Sequence, residues 1–180
     1  MGGARGILVS FVVALTLLGV GAASVSAAAT QPRAASSVNQ FESAVLDELN
    51  AIRRAHGLRP LRLSRPLSAA AEAHSRAMGR FGFFSHESRD GSEFWARVKR
   101  WYGPGGYDRW SVGENLLWSS GRPSAAEAVR LWMASPGHRK NILTASWREV
   151  GLAAVAVSGA PGVYGGRDVV IVTSDFGFRT

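Results

Sequence analysis

The chain has 180 residues, 46% of them hydrophobic, and 21 basic side chains against 13 acidic ones give a formal net charge of +8. That is room for one ordinary domain and enough apolar material to pack it. Cysteine is absent, which excludes thiol nucleophiles, thiolate metal sites and haem attachment, and leaves an exported domain to be held by its core alone.

The first 29 residues have the order of a secretory leader. Arg5 lies in the opening stretch, an apolar run from Ile7 to Val20 follows, and small residues crowd positions 21 to 29. The run is short for a bilayer core, which favours a cleaved leader over an anchor, and places the protein outside the cytoplasm, secreted or at the cell envelope. Residues 30–38 are polar and turn-prone and read as a linker, so that the domain occupies 39–180. From Phe41 the pattern turns helical: Phe41, Val45, Leu49 and Ile52 recur at helical spacing, His56 ends the helix, and Gly57 stops it. The two-proline stretch LRPLRLSRPLS reads as a connector, and Ser64 before Pro66 opens a second, alanine-rich helix ending near Gly79. A loop with the sequence FGFFSHESRDG follows. Asp90 with Glu93 then suggests a capping box, and Ser124 with Glu127 suggests another. Between the two boxes SVGENLLW is extended. Pro136 and Gly137 break the chain just before His138. In the last third VGLAAVAV and DVVIVTSDF are apolar enough to be buried strands, joined by the glycine-rich SGAPGVYGGR. Helices early and strands late predict an α+β fold, with helices packed on a small antiparallel sheet.

The chemistry-bearing residues are few. His86 sits in the FFSH loop, Glu114 follows Gly113 in the extended GEN segment, and His138 lies in SPGHRKNIL. Two imidazoles and a carboxylate from separate segments suit a divalent cation with open positions, with the carboxylate as ligand or as an orienting group. On spacing alone, helix caps or surface groups are the commoner role of such residues. His86-Glu87 is no zinc-protease helix, since the second histidine is missing, and there is no nucleophile elbow or phosphate-binding glycine loop. His74 reads as a packed core histidine. Asn115 and Asn141 read as partners of backbone groups. The arginine runs, Arg53 to Arg65 and Arg97 to Arg100, read first as solvated surface, with association with an anionic surface as the alternative. No nucleic-acid-binding module is present.

Taken in order, LNAIRRAHGLRPLRLSRPLSAAAEAHSRAM, FSH, DG, VGENL, LWMASPGHRKNIL and EVGLAAV resemble the bacterial branch of the CAP superfamily, the cysteine-rich secretory, antigen 5 and pathogenesis-related-1 proteins. The resemblance spans about residues 41 to 178 and implies a three-layer α-β-α sandwich with a cleft lined by two histidines and two acids. His86, Glu114 and His138 match three of these. Where the second acid is expected this chain has Ser135, and Glu87 or Glu93 replaces it only if the loop folds inward. The resemblance further implies a non-enzymatic binding protein. Its cleft takes a lipid, glycan or protein ligand at the envelope, and a divalent cation, zinc or magnesium, is ligated by His86 and His138. The alternative is a metal-assisted hydrolase of peptide or wall material with Glu114 as base.

Overall fold

The computed structural model describes residues 31–180, with side chains from Gln40 onward; the expected leader lies outside the described residues. Helix α1 spans Gln31–Ala55. It therefore starts ahead of the apolar period and includes residues 31–38, which read as a linker. Pro32 stands in its first turn, where a missing N–H costs nothing, and no breaker follows it. Gly57 ends the helix at φ +68, a left-handed position that suits glycine.

The connector contributes a two-residue strand, β1 (Arg62–Leu63), that periodicity could not reveal. Helix α2 spans Arg65–Phe81 with Pro66 in its first turn, and it ends on left-handed Gly82 rather than on Gly79. Gly79 is a packing glycine instead, because a Cβ there would meet Val157 Cγ2 at 2.5 Å. Helix α3 (Phe94–Lys99) follows the FSH loop. The expected Asp90 capping box does not form: Asp90 Oδ1 accepts from the backbone N and the hydroxyl of Ser92 in a local turn. Strand β2 is Trp110–Ser119. The second box holds, with Ser124 accepting from Glu127 N at the start of α4 (Ala125–Ala134). Pro136 both ends that helix and opens the next, α5 (Pro136–Ile142). Strands β3 (Glu149–Ala160) and β4 (Arg167–Arg179) close the fold, and the expected ten-residue hairpin loop shrinks to residues 161–166 because both strands run on.

The sheet order is β1-β3-β4-β2. β2, β4 and β3 are antiparallel as expected, and the short β1 adds a parallel edge beside β3. Alternation sorts the side chains between two helical layers. Leu117, Val150, Leu152, Val172 and Phe176 pack with Val45 and Leu49 of α1 and Val129 and Trp132 of α4. On the other face, Met78 of α2 packs with Leu116, Trp118 and Ile171, and Leu67 and Ala70 pack with Tyr102. The result is an α-β-α sandwich that leaves β2 as one edge of the sheet.

Two glycines let α2 lie directly on the strands. A Cβ on Gly151 would fall 2.0 Å from the Leu67 carbonyl carbon, and one on Gly177 2.8 Å from Leu67 Cδ1. Backbone cannot yield as a side-chain tip can. Gly151→Ala is expected to destabilise the fold by about 3 kcal/mol, the upper end for overpacking, read as a lowered thermal midpoint. An unchanged midpoint would show that α2 does not seat there.

Candidate functional site

His86 is placed by its loop, and the loop is pinned at three backbone carbonyls. Tyr164 OH donates to Phe83 O at 2.8 Å, His74 Nε2 donates to Ser85 O at 2.8 Å, and an Arg97 terminal nitrogen donates to His86 O at 3.0 Å. His74 is thus the packed core histidine expected; burial, above all, lowers its pKa to about 4.

Glu114 is presented by edge strand β2 on the α2 face, with its side chain fully buried. His86 Nδ1 lies 2.8 Å from Oε1, and Arg97 forms an ion pair with Oε2. Burial pushes the Glu114 pKa up, but the Arg97 charge, the His86 hydrogen bond and the nearby imidazoles outweigh it and hold the group at about 2. An ionised carboxylate only accepts, so His86 donates from Nδ1 and keeps Nε2 for another partner.

His138 comes from the opposite layer. It stands in the first turn of α5 after Pro136, largely buried, and its own carbonyl accepts from Asn115 Nδ2 at 3.1 Å. Asn141 Nδ2 donates to Glu114 O and to Asn115 Oδ1, both at 2.9 Å, so the two asparagines clip α5 to the free edge of β2. Burial, then the charge of His86, lowers the His138 pKa to about 4, which leaves a neutral ring at neutral pH. Ser135 sits buried at the α4–α5 junction, its hydroxyl without a partner among the described residues. Glu87 accepts from Ser85 Oγ at 2.9 Å. His86 and Glu114 are therefore in direct contact, while His138 is tied to the same strand through its backbone and senses His86 through its charge.

Two site residues escaped the sequence reading. Arg97, grouped there with solvated charge, is buried; so is Arg53, which donates to the carbonyls of Arg59, Ile142 and Thr144 and ties α1 to the end of α5. Asp175 is the other. It stands opposite Glu114 in the β2–β4 register, is fully buried, and has no hydrogen-bond partner for either oxygen among the described residues. Burial and the Glu114 charge drive its pKa well up. An acidic residue inside an apolar strand, TSDF, was the available signal.

For a cation, the donor chemistry offers two imidazoles and no free carboxylate oxygen on Glu114. Among the described residues no group of three or more His, Cys, Asp or Glu side chains is placed to hold a metal ion. Glu114 orients the His86 ring from behind and leaves its Nε2 unengaged by that carboxylate.

Helices thus cover both faces of a small sheet, and His86, Glu114 and Arg97 are bonded together at its edge strand. The chain belongs to the cysteine-rich secretory protein family, CAP, which it matches over residues 46–175. It is 34% identical over 123 residues to the uncharacterised protein YkwD of Bacillus subtilis strain 168, covering 68% of this chain and 46% of that one. The uncharacterised membrane protein YlbC of the same strain is 32% identical over 111 residues, 62% of this chain and 30% of that one. This chain thus spans less than half the length of either relative. Among solved structures, an extracellular SCP-domain protein of Bacillus anthracis gives a TM-score of 0.63 at 26% identity, covering 84% of this chain and 44% of that one. An outer surface protein of Borrelia burgdorferi gives 0.60 at 16% identity over 78% and 94%, a likeness of fold alone. No helix among the described residues is long and apolar enough to cross a membrane.

The titrations have opposite signs. His74 and His138 have folded pKa values below the ordinary 6.5, so the unfolded chain binds more protons between pH 6.5 and 4, and stability falls as pH drops through that window. His138→Gln is expected to flatten this acid limb in thermal melts; an unchanged slope would contradict the burial of its neutral ring. Asp175 has a raised folded pKa, so its contribution is lost as pH rises. Asp175→Asn is expected to raise the melting temperature by a few degrees at pH 7 and to do little below pH 3.8, the ordinary value for the group. A lowered midpoint at pH 7 would mean that the carboxylate is ionised and needed.

Proposed function

We propose that this is an exported, non-enzymatic binding domain whose cleft at β2 receives a lipid or glycan of the cell envelope, with a divalent cation on His86 and His138 as part of the receptor. Export is supported by the leader-like order of residues 1–29 and by the extracellular SCP-domain relative from Bacillus anthracis. The observation that carries the binding reading is the state of Glu114, ionised near pH 2 with both oxygens bonded. A carboxylate so stabilised has little pull on a proton of water near neutral pH, which favours binding over metal-assisted hydrolysis. Neutral imidazole donors suit zinc better than magnesium, which prefers oxygen. A bound cation would supply positive charge for a ligand's phosphate or hydroxyl oxygens. The chain's own residues set the stage for it: Glu114 fixes the His86 ring, Arg97 keeps Glu114 charged, and the asparagine clip positions His138.

Calorimetric titration with zinc is expected to give saturable binding that disappears when His86→Ala and His138→Ala are combined. Glu114→Gln is expected to weaken it by about tenfold, the low end for an orienting partner. Absence of saturable binding would remove the cation from the proposal. Turnover of wall fragments or casein that Glu114→Gln abolishes would replace the binding reading with the hydrolase.

A further inference from the structure

The surface where α2, the loop after it and α3 meet combines exposed aromatic rings with unpaired cations. Phe81 closes α2 and is 44% exposed, and Trp101, just past α3, is 50% exposed. Arg80 and Arg89 lie over the Phe81 ring, their guanidinium carbons 5.1 and 4.3 Å from its centre. Arg89 also stands with Arg100 and Trp101 around a shallow hollow between α2 and α3. The patch continues onto the tip of the β3–β4 hairpin, where the Val163 N–H donates to Gly82 O and the side chain is 56% exposed.

Arg80, Arg89 and Arg100 enter none of the ion pairs among the described residues. The one carboxylate at the hollow, Asp90, is bonded to Ser92 N and Oγ. Stacking on Phe81 holds two guanidinium groups beside a ring and leaves their N–H groups for other acceptors. A dissolved polyanion would satisfy these charges and leave the rings in water. A bilayer with anionic headgroups meets both needs. Its phosphates take the guanidinium donors, and aromatic rings settle at headgroup level while long cationic side chains reach along the interface. The excess of 21 basic over 13 acidic residues gives the long-range attraction the same sign.

We infer that this patch docks the protein on the surface of an anionic phospholipid bilayer, with Phe81, Trp101 and Val163 at headgroup level and Arg80, Arg89 and Arg100 on lipid phosphates. Neither a cation nor a ligand in the cleft is needed for it. The loop that carries His86 runs between Phe81 and Arg89, so docking holds the site close to the bilayer.

The absence of cysteine makes a site-specific test available. The full chain is labelled with an environment-sensitive fluorophore at Val163→Cys, or at Ala126→Cys on exposed α4 in the opposite layer, and mixed with vesicles. Vesicles of phosphatidylglycerol and phosphatidylcholine in equal parts are expected to blue-shift the label at 163 and leave the one at 126 unchanged. Phosphatidylcholine alone is expected to be at least about tenfold weaker for that shift. Arg80→Gln, Arg89→Gln and Arg100→Gln together should weaken it about a hundredfold, about fivefold for each cation near the surface. Arg54→Gln, Arg122→Gln and Arg130→Gln remove the same charge from exposed positions in the other layer and should cost less than about threefold, since salt screens distant charge. Trp101→Ala should weaken docking by about tenfold with the melting temperature kept, and Trp101→Phe should restore most of it. Equal loss from the two arginine triples would mean attraction by net charge alone and would overturn the assignment. So would a shift at 126 as large as that at 163, or equal response to neutral vesicles. Docking that needs the three arginines but ignores Trp101→Ala would also overturn it, in favour of a polyanionic polymer as the partner.

Discussion

The pairing of Arg97 with Glu114 is the constraint on which the site depends. A carboxylate wholly removed from water is costly to ionise unless a cation and hydrogen bonds meet it, and losing one partner of such a pair is far more damaging than never having had it. Arg97 meets that need and also accepts a second task, because its other terminal nitrogen fixes the carbonyl of His86. One guanidinium therefore sets the charge of the strand residue and the place of the loop residue that bonds to it. His86 then has no freedom over which ring nitrogen faces the carboxylate, and the opposite nitrogen is left for outside chemistry.

Asp175 forms the buried floor of the site behind Glu114. It lies beside Glu114 on β4, and on its other side stands Gly151 of β3, the residue onto which the start of α2 descends. That close approach leaves no side chain and little room over the middle strand. Two carboxyl groups side by side in such a place cannot both ionise, so Glu114, which has the arginine, takes the charge and Asp175 is driven the other way. The acid that the family pattern leads one to seek at Ser135 is thus absent there, while a second acid stands behind Glu114 on the sheet. Its burial makes it a partner of Glu114 rather than a group that meets a ligand.

Much of the fold was legible because it is written in local patterns. The apolar period of α1, the proline openings of α2 and α5, the Ser124 cap and the apolar runs of β3 and β4 each depend on neighbours in sequence. The misreadings share a cause. β1 is too short to have a period, Gly79 has the composition of a stop and the position of a contact, and Asp90 found Ser92 closer than the helix it was expected to cap. In each case a nearby partner or a distant surface outcompeted the intrinsic preference.

The sequence by itself determined which residues could do chemistry and roughly where they sit: FSH in a loop, GEN on a strand, SPGH at a helix opening. It also marked the absence of cysteine and hence reliance on packing. Only the tertiary structure decided that Arg97 is a buried partner rather than surface charge, that Asp175 stands against Glu114, and that His86 and His138 approach one edge strand from opposite layers. Those facts depend on strand register and on which helix covers which face, and both are set by contacts between residues far apart in the chain, where local pattern carries no information.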